Sequence, residues 1–387
     1  MLIDVNTALK NPDVLSEIEH KIDAGTAITR AEAITLWSPE TNLSELAALA
    51  HRVRARLHPG NTVTFLIDRN INYTNVCNTD CSFCGFYRHS PSHPEAYVLP
   101  RHVIGKKLEE LVALNGTRVL LQGGHNDELP FDYYVGLVSW IHENFPSIEI
   151  NSFSPSEIQQ MQKVSGLSYH EILKTLQQAG MRSLPGGGAE ILDDTVRARV
   201  SPKKIRADDW ISIMEVAHSL GLSTTATMVI GFGETIEQRL NHFDRIRDAQ
   251  SRSLKAGGSG FVANISWPLQ HNEATSMGRS KHAEKFGSSM YEYLRHTALA
   301  RIYLHNVPHA QSSWPTLGIE AGALALHYGC DDIGSTMMEE NVVSKAGAQT
   351  AHTWSMSPEQ LQAAIRDVGF IPAQRDSAFK IIRKFEA

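Results

Sequence analysis

Cysteine is scarce in this chain, four in 387 residues, and three of the four fall within eight consecutive positions. A disulfide framework needs thiols spread over the fold, so this distribution excludes one and points to metal ligation in a reducing compartment. Cys330 stands apart and reads as a buried thiol. Long apolar runs are missing too: no stretch is long enough to span a bilayer, and the opening MLIDVNTALKNPDV lacks the basic start and apolar run of a signal peptide. The expected location is the cytoplasm, with no membrane partner. There is no surplus of positive charge either. Lys and Arg total 36 against 42 Asp and Glu, a formal charge of −6, which leaves no general electrostatic reason to bind nucleic acid. A small-molecule substrate is the expected partner. Internal repeats, low-complexity tracts and Gly/Ser linkers are also absent, so one continuous domain with terminal additions is the simplest description.

What is present suits a compact globular chain, with 42% hydrophobic and 20% charged residues. In residues 10–57 apolar side chains recur at helical spacing, as in Leu43, Leu46, Ala47, Ala50, Val53 and Leu57, and Thr41 or Asn42 can cap that helix. From Thr62 the pattern changes to short β-rich runs followed by amphipathic stretches. The expected strands are 63–73, 118–122, 148–153, 181–184, 223–230, 261–267, 309–313 and a weaker one at 332–334, with helices such as 106–114, 133–144, 170–179 and 208–220 between them. This alternation predicts an α/β fold, a closed (β/α)8 barrel over 62–350, rather than a doubly wound open sheet. A helical extension occupies 1–61, and 351–387 reads as a helix and an extended tail packed outside the barrel. The loops after the strands then form the active face.

The segment CNTDCSFC follows directly after the first strand and has the spacing CxxxCxxC, through Cys77, Cys81 and Cys84. Three thiolates on a tight loop can hold three corners of a cubane cluster and leave one iron free for a small molecule. The competing reading is a Cys3His zinc site completed by His89 or His93, but the usual second CxxC pair is absent. Other strand ends carry polar or glycine-rich residues: Gly123, Gly124 and His125 in QGGH, Glu190 in PGGGAEIL, and Gly231, Gly233 and Glu234 in VIGFGE. Each could equally be an ordinary turn or a solvated helix start. Within the first strand Asp68, Asn70, Asn72 and Thr74 alternate with Phe65, Ile67, Ile71 and Tyr73. With the apolar set against the helices, the polar set faces the lumen, and a polar lumen implies a bound ligand. Asp68, Asn70, Asn72 and, past the last strand, Glu340 are thus the candidates for catalytic groups; placement alone singles out none of them as a base.

With aromatic Phe83 before its last cysteine, the motif CxxxCxΦC resembles the signature of the radical S-adenosylmethionine (SAM) enzymes. That resemblance implies a 4Fe-4S cluster on Cys77, Cys81 and Cys84, SAM chelating the open iron, a flavodoxin- or ferredoxin-type reductant, and a 5′-deoxyadenosyl radical. It also implies SAM contacts from Phe83, from Gly123, Gly124 and His125 where the family has GGE, from Glu190 to the ribose hydroxyls, and from Gly231 and Glu234 near the adenine. DRNINYTNVC, CGFYR, LLQGGHN, NSFSPSEI, SLPGGGAEIL, SPKK, TTATMVIGFGET, QSSW and GSTMMEENVV together resemble the cyclic dehypoxanthinyl futalosine synthase family of the futalosine route to menaquinone. The sister aminofutalosine and deazaflavin synthases share part of this set. The substrate so implied is dehypoxanthine futalosine, a benzoate joined through a ketone chain to a ribose, with hydrogen taken from ribose C4′ and a new bond made to the benzoate ring. An iron-sulfur protein serving only electron transfer or sensing is the alternative from another class, and it would need no glycine-edged strand ends around a large cavity.

Overall fold

The computed structural model describes residues 12–348 and 356–386. Three helices come first: α1 (Pro12–Ala24), α2 (Arg30–Trp37) and α3 (Leu43–Leu57). Capping boxes start α2 at Thr29 with Glu32 and α3 at Asn42 with Glu45, pairing first-turn N–H groups that the helix leaves open. Asn42 is therefore the cap; Thr41 is buried and its hydroxyl donates to the Thr35 carbonyl at 2.9 Å. Leu46, Leu49, Ala50 and Val53 form the buried stripe of α3. Arg54 on the same helix donates to the carbonyls of Cys330, Gly60 and Thr62, which ties the extension to the base of the barrel.

Next come the strands β1 (Thr62–Leu66), β2 (Asp68–Asn72), β3 (Arg118–Gln122), β4 (Glu149–Ser152), β5 (Met181–Leu184), β6 (Ser223–Ile230), β7 (Phe261–Pro268), β8 (His309–Gln311) and β9 (Asp332–Ser335). Interleaved with them are α4 (Arg101–Ala113), α5 (Phe131–Asn144), α6 (Pro155–Ser165), α7 (Tyr169–Ala179), α8 (Asp194–Val200), α9 (Ala207–Ser219), α10 (Ile236–Lys255), α11 (Met290–Tyr303), α12 (Trp314–Leu317) and α13 (Ile319–Leu324), and α14 (Val342–Lys345) follows β9. Every pairing from β2 round to β9 and on to β1 is parallel. The expected strand 63–73 breaks at Ile67, where the line of backbone changes neighbours: β1 pairs with β9, and β2 with β3. Thr336 N–H donates to the Leu66 carbonyl at 3.0 Å, and Asn70 N–H to that of Met338 at 2.9 Å, so the end of the sheet meets its beginning. Counting β1 and β2 as one stave gives the expected barrel, and the weak strand at 332 is the one that closes it.

The tail departs from expectation. After α15 (Pro358–Asp367), β10 (Ile371–Arg375) enters the sheet parallel to β1, from Thr62 opposite Ile371 to Phe65 opposite Gln374, and β11 (Ile381–Lys384) adds antiparallel to it. The physical reason is an open edge. Because β3 pairs with β2 and not with β1, one side of β1 would present bare N–H and C=O groups, and β10 supplies their partners.

Side-chain alternation positions the rest. Val119, Leu121 and Ile150 alternate with the lumen-facing residues and are buried in one core with Leu108, Val138 and Ile172 of the helices; each large aliphatic side chain so placed contributes roughly 1.5 to 3 kcal/mol. Of the polar set expected to face the lumen, Asp68, Asn70 and Asn72 are buried on the stave, whereas Thr74 lies past its end and its hydroxyl donates to the Tyr97 carbonyl at 2.8 Å. Among the described residues no helix is long and apolar enough to cross a membrane.

Candidate active site

Past Asn72 the chain crosses the mouth of the barrel in a loop that folds on itself. Cys77 N–H donates to the Arg88 carbonyl, Arg88 N–H to that of Asn75, and Leu99 N–H to that of Tyr73. Asn78 N–H reaches the His125 carbonyl and Ser82 N–H that of Val200, which pins the loop to the ends of β3 and α8. Cys77 and Cys81 are buried and Cys84 is half-buried. The Thr79 hydroxyl lies 3.0 Å from Cys77 Sγ and 3.6 Å from Cys81 Sγ, and Thr79 carried no signal in the sequence reading. Replacing Thr79 by Val, which removes the hydroxyl at constant shape, is expected to leave iron content intact and to lower the reduction potential of a bound cluster, because hydrogen bonds to the ligating sulfur favour the reduced state. Redox titration of the reconstituted variant checks it.

The donor set fits a cluster better than a single ion. His89 is paired with Asp80, and His93 accepts the Glu95 N–H, so neither completes a zinc shell. The one group of three or more ligand residues among the described residues with all its ligand atoms within 4.8 Å of one another is His58, His309 and Asp331. The cysteine sulfurs are therefore more widely spread than the roughly 3.8 Å that tetrahedral zinc thiolate geometry imposes. The histidine group lies at the other end of the barrel. Its rings are stacked 19° from parallel at 4.4 Å, and parallel in-plane lone pairs do not converge on one ion.

Gly123 and Gly124 do line the cavity beside the cysteines, but the need for glycine comes from the protein itself. A Cβ on Gly124 would lie 2.1 Å from the Val76 carbonyl oxygen, and one on Gly123 2.6 Å from the Tyr73 ring. The end of β3 is thus packed against the cysteine loop. His125 borders the same cavity; burial, with Lys204 and Lys163 nearby, pushes its ring down to about 3, so it is neutral and no substitute for a carboxylate.

A carboxyl group does stand at this glycine edge, brought there by another helix. Ser154 caps α6 with Pro155 in its first turn, which brings Glu157 to the mouth. Its Oε1 accepts the Tyr73 hydroxyl at 2.7 Å and the Gly123 N–H at 2.9 Å, and burial raises the carboxyl to about 7. Sequence reading passed over Glu157, though SPSE after a strand is a cap, a proline and a third-position acid. Glu190, held at φ +46°, also borders the cavity, but its Oε1 accepts Lys204 Nζ at 2.6 Å. Burial works against the charge on Lys204, and Glu190 outweighs it, leaving the ammonium firmly protonated. The same ammonium stands 5.9 Å over the ring of Phe83, which leans on Phe232 at 5.3 Å.

Gly231 and Glu234 do not border the cavity. Glu234 folds back onto the Gly231 N–H and pairs with Arg239, fully buried, so this motif builds a turn. Asp68 lines neither cavity: its Oδ2 accepts from Arg118, and its Oδ1 is buried without a hydrogen-bond partner among the described residues. Glu340 borders an inner cavity but accepts the N–H groups of Val342, Val343 and Ser344, capping α14. Glu339 points away, to Arg69 and Lys107. Asn70 and Asn72 do face the interior, Asn70 the inner chamber and Asn72 the outer.

Two chambers result. The outer, of about 240 Å³, is edged by the cysteines, His125, Glu157 and Glu190. The inner, of about 260 Å³, fills the barrel's lumen, and Gln122, Gly187, Trp267, Val342 and Val343 border both.

Residues 71–246 match the radical SAM superfamily model and residues 258–386 the CofH/MqnC C-terminal region. The chain is 44% identical over 362 residues to cyclic dehypoxanthine futalosine synthase of Halalkalibacterium halodurans, covering 94% of this chain and 93% of that protein. It is 38% identical over 368 residues to the Streptomyces coelicolor protein of the same name, covering 95% and 88%. Among solved structures, methylornithine synthase superimposes with a TM-score of 0.71 at 16% identity, over 93% of this chain and 98% of that one, a likeness of fold.

Proposed function

The chain belongs to the radical SAM superfamily, in the group with a CofH/MqnC C-terminal region, and from that premise we propose that it cyclises dehypoxanthine futalosine by joining ribose C4′ to the benzoate ring. The observation that carries this reading is the pair of adjoining chambers, one edged by the cysteine triad and one deeper and polar, which gives SAM and a second molecule neighbouring places. Cys77, Cys81 and Cys84 hold three irons of a 4Fe-4S cluster, and the fourth is left to SAM. When bound, the pair supplies one-electron cleavage of SAM to a 5′-deoxyadenosyl radical able to take a hydrogen atom from carbon. A flavodoxin- or ferredoxin-type protein of the cytoplasm provides the electron.

The chain's own residues bind and orient. Glu157 receives the SAM amino group, its carboxylate steadied by Tyr73 and by the Gly123 N–H. Glu190, fixed by Lys204 through one oxygen, offers the other to a ribose hydroxyl. Phe83 packs beside them against Phe232. Trp267 stands where the chambers meet and sets the distance between the two reactants. After hydrogen leaves C4′ and the carbon adds to the ring, loss of one proton to water or a basic side chain and of one electron to the oxidised iron-sulfur centre would restore aromaticity, so each product would consume one SAM and release one 5′-deoxyadenosine.

Substrate deuterated at C4′ is expected to pass its label into 5′-deoxyadenosine, one equivalent per cyclised product, as read by mass spectrometry of an anaerobic incubation. Cyclised product with unlabelled 5′-deoxyadenosine would show that abstraction occurs elsewhere. An inert substrate would overturn the reading and leave the fold and family untouched.

A further inference from the structure

We propose that Arg118 is the anion-binding group of the inner chamber and grips a carboxylate of the substrate with the free end of its guanidinium. Arg118 opens β3 directly opposite Asp68 on β2. Its Nε and Nη2 donate to Asp68 Oδ2 at 3.1 and 2.5 Å, while Nη1 has no partner among the described residues. A guanidinium has two edges that fit a carboxylate: a side edge from Nε and Nη2, and an end edge from Nη1 and Nη2. Asp68 takes the side edge and holds the group in place, leaving the end edge toward the chamber that Arg118 lines. The other arginine bordering this chamber, Arg375, has no such edge. It spends Nε and Nη2 on Asp332, Nη2 also on Gln311, and Nη1 on the Asp376 carbonyl. Its side chain is 1% exposed against 13% for Arg118.

Two amides frame the arginine one step up the barrel, where Asn70, Leu120 and Asn151 sit side by side in register. Asn70 and Asn151 are 4% and 5% exposed, line the chamber, and have carbonyl oxygens with no hydrogen-bond partner among the described residues. Buried amides left unpaired in this way mark a place that a ligand completes. Leu120, Ile265, Trp267 and Phe379 give the same chamber apolar and aromatic walls. The ligand that matches all three features is a monoanionic carboxylate on a flat apolar body that also carries hydroxyl groups. A phosphate dianion fits poorly, because a single half-neutralised cation would face it with Glu340 close by.

The inference rests on the reading above only for the identity of the substrate. The test compares wild type, R118Q, R118K and D68N on dehypoxanthine futalosine and on its carboxamide. Binding of sodium benzoate and of benzamide to the same proteins is followed separately by saturation-transfer NMR. Wild type should prefer the carboxylate over the carboxamide by roughly tenfold to a hundredfold, mainly in KM, as expected of a charge-assisted pair. R118Q should erase the preference by slowing the acid and not the amide. R118K, which keeps the charge and loses the fork, should fall between, and D68N should retain the preference. Benzoate should bind wild type and not R118Q. If R118Q does not fold, the double change R118Q with D68N removes both charges and must show the same loss. An R118Q that slows acid and amide equally, or that still binds benzoate as wild type does, overturns the assignment. If wild type turns over neither compound, the proposed reaction fails, and the benzoate comparison still decides Arg118.

Discussion

Cys77→Ala, Cys81→Ala and Cys84→Ala are each expected to reduce iron content after anaerobic reconstitution to background and to abolish 5′-deoxyadenosine formation, whereas Cys330→Ala leaves both nearly intact. A cubane held by two thiolates is labile, and each of these sulfurs borders the outer chamber. Cys330 lies elsewhere, 1% exposed, where Arg54 holds its carbonyl. Its truncation removes one small buried side chain and should cost about 1 kcal/mol. Iron analysis and product assay of the four variants separate these outcomes; wild-type iron in any of the first three would sink the assignment of the triad.

Glu157→Ala should be the most damaging change outside the triad. It strips the acceptor from the buried Tyr73 hydroxyl and from the Gly123 N–H. Each orphaned donor costs about 1 to 3 kcal/mol, so the loss should reach about 2 to 6 kcal/mol in urea unfolding. Glu157→Gln keeps an acceptor oxygen and should fold. Its signature is in pH. Burial raises the Glu157 carboxyl from its ordinary 4.5 to about 7, which means that the fold favours the neutral form. The stability gained is complete below about pH 4.5 and is lost as pH rises through about 7, a difference of roughly 3 kcal/mol. Between pH 6 and 8 wild type should therefore weaken relative to Glu157→Gln. Amino N–H donors beside the carboxylate favour its charged form, so SAM should stabilise wild type more at pH 8 than at pH 6, and the variant about equally at both. Parallel profiles for the two proteins would refute the role of Glu157.

Features that depend on neighbours in sequence were legible from it. Period-two alternation placed Asn70 and Asn72 toward the interior because the pleat alone decides which face a side chain takes. The spacing of Cys77, Cys81 and Cys84 on one loop likewise carried its chemistry openly. Pairings between distant segments were not legible. Nothing in residues 371–375 announces that they will dock on β1, since the vacancy they fill arises only when β3 pairs with β2 and leaves β1 bare. Charged groups were misjudged for a related reason: sequence offers an acid, and only the fold shows whether it is already occupied. Glu234 turned inward to Arg239, and Glu340 capped its own helix, while Glu157, which had drawn no notice, became a buried acid beside the cysteine loop.

The change of neighbours at Ile67 also sets a timetable. β1 is made before the other described strands, yet its partners begin at residue 332 on one edge and 371 on the other. At translation rates of about 5 to 20 residues per second, roughly 15 to 60 seconds separate the emergence of β1 from that of its last neighbour. The cysteine loop leaves the ribosome directly behind β1, so for that interval its three thiols travel on an unfinished chain, open to iron donors and oxidants alike. Arg375, Ser377 and Phe379 are made long after the cysteine loop and complete the wall of the inner chamber. The metal ligands are thus available long before the compartment in which their chemistry is confined.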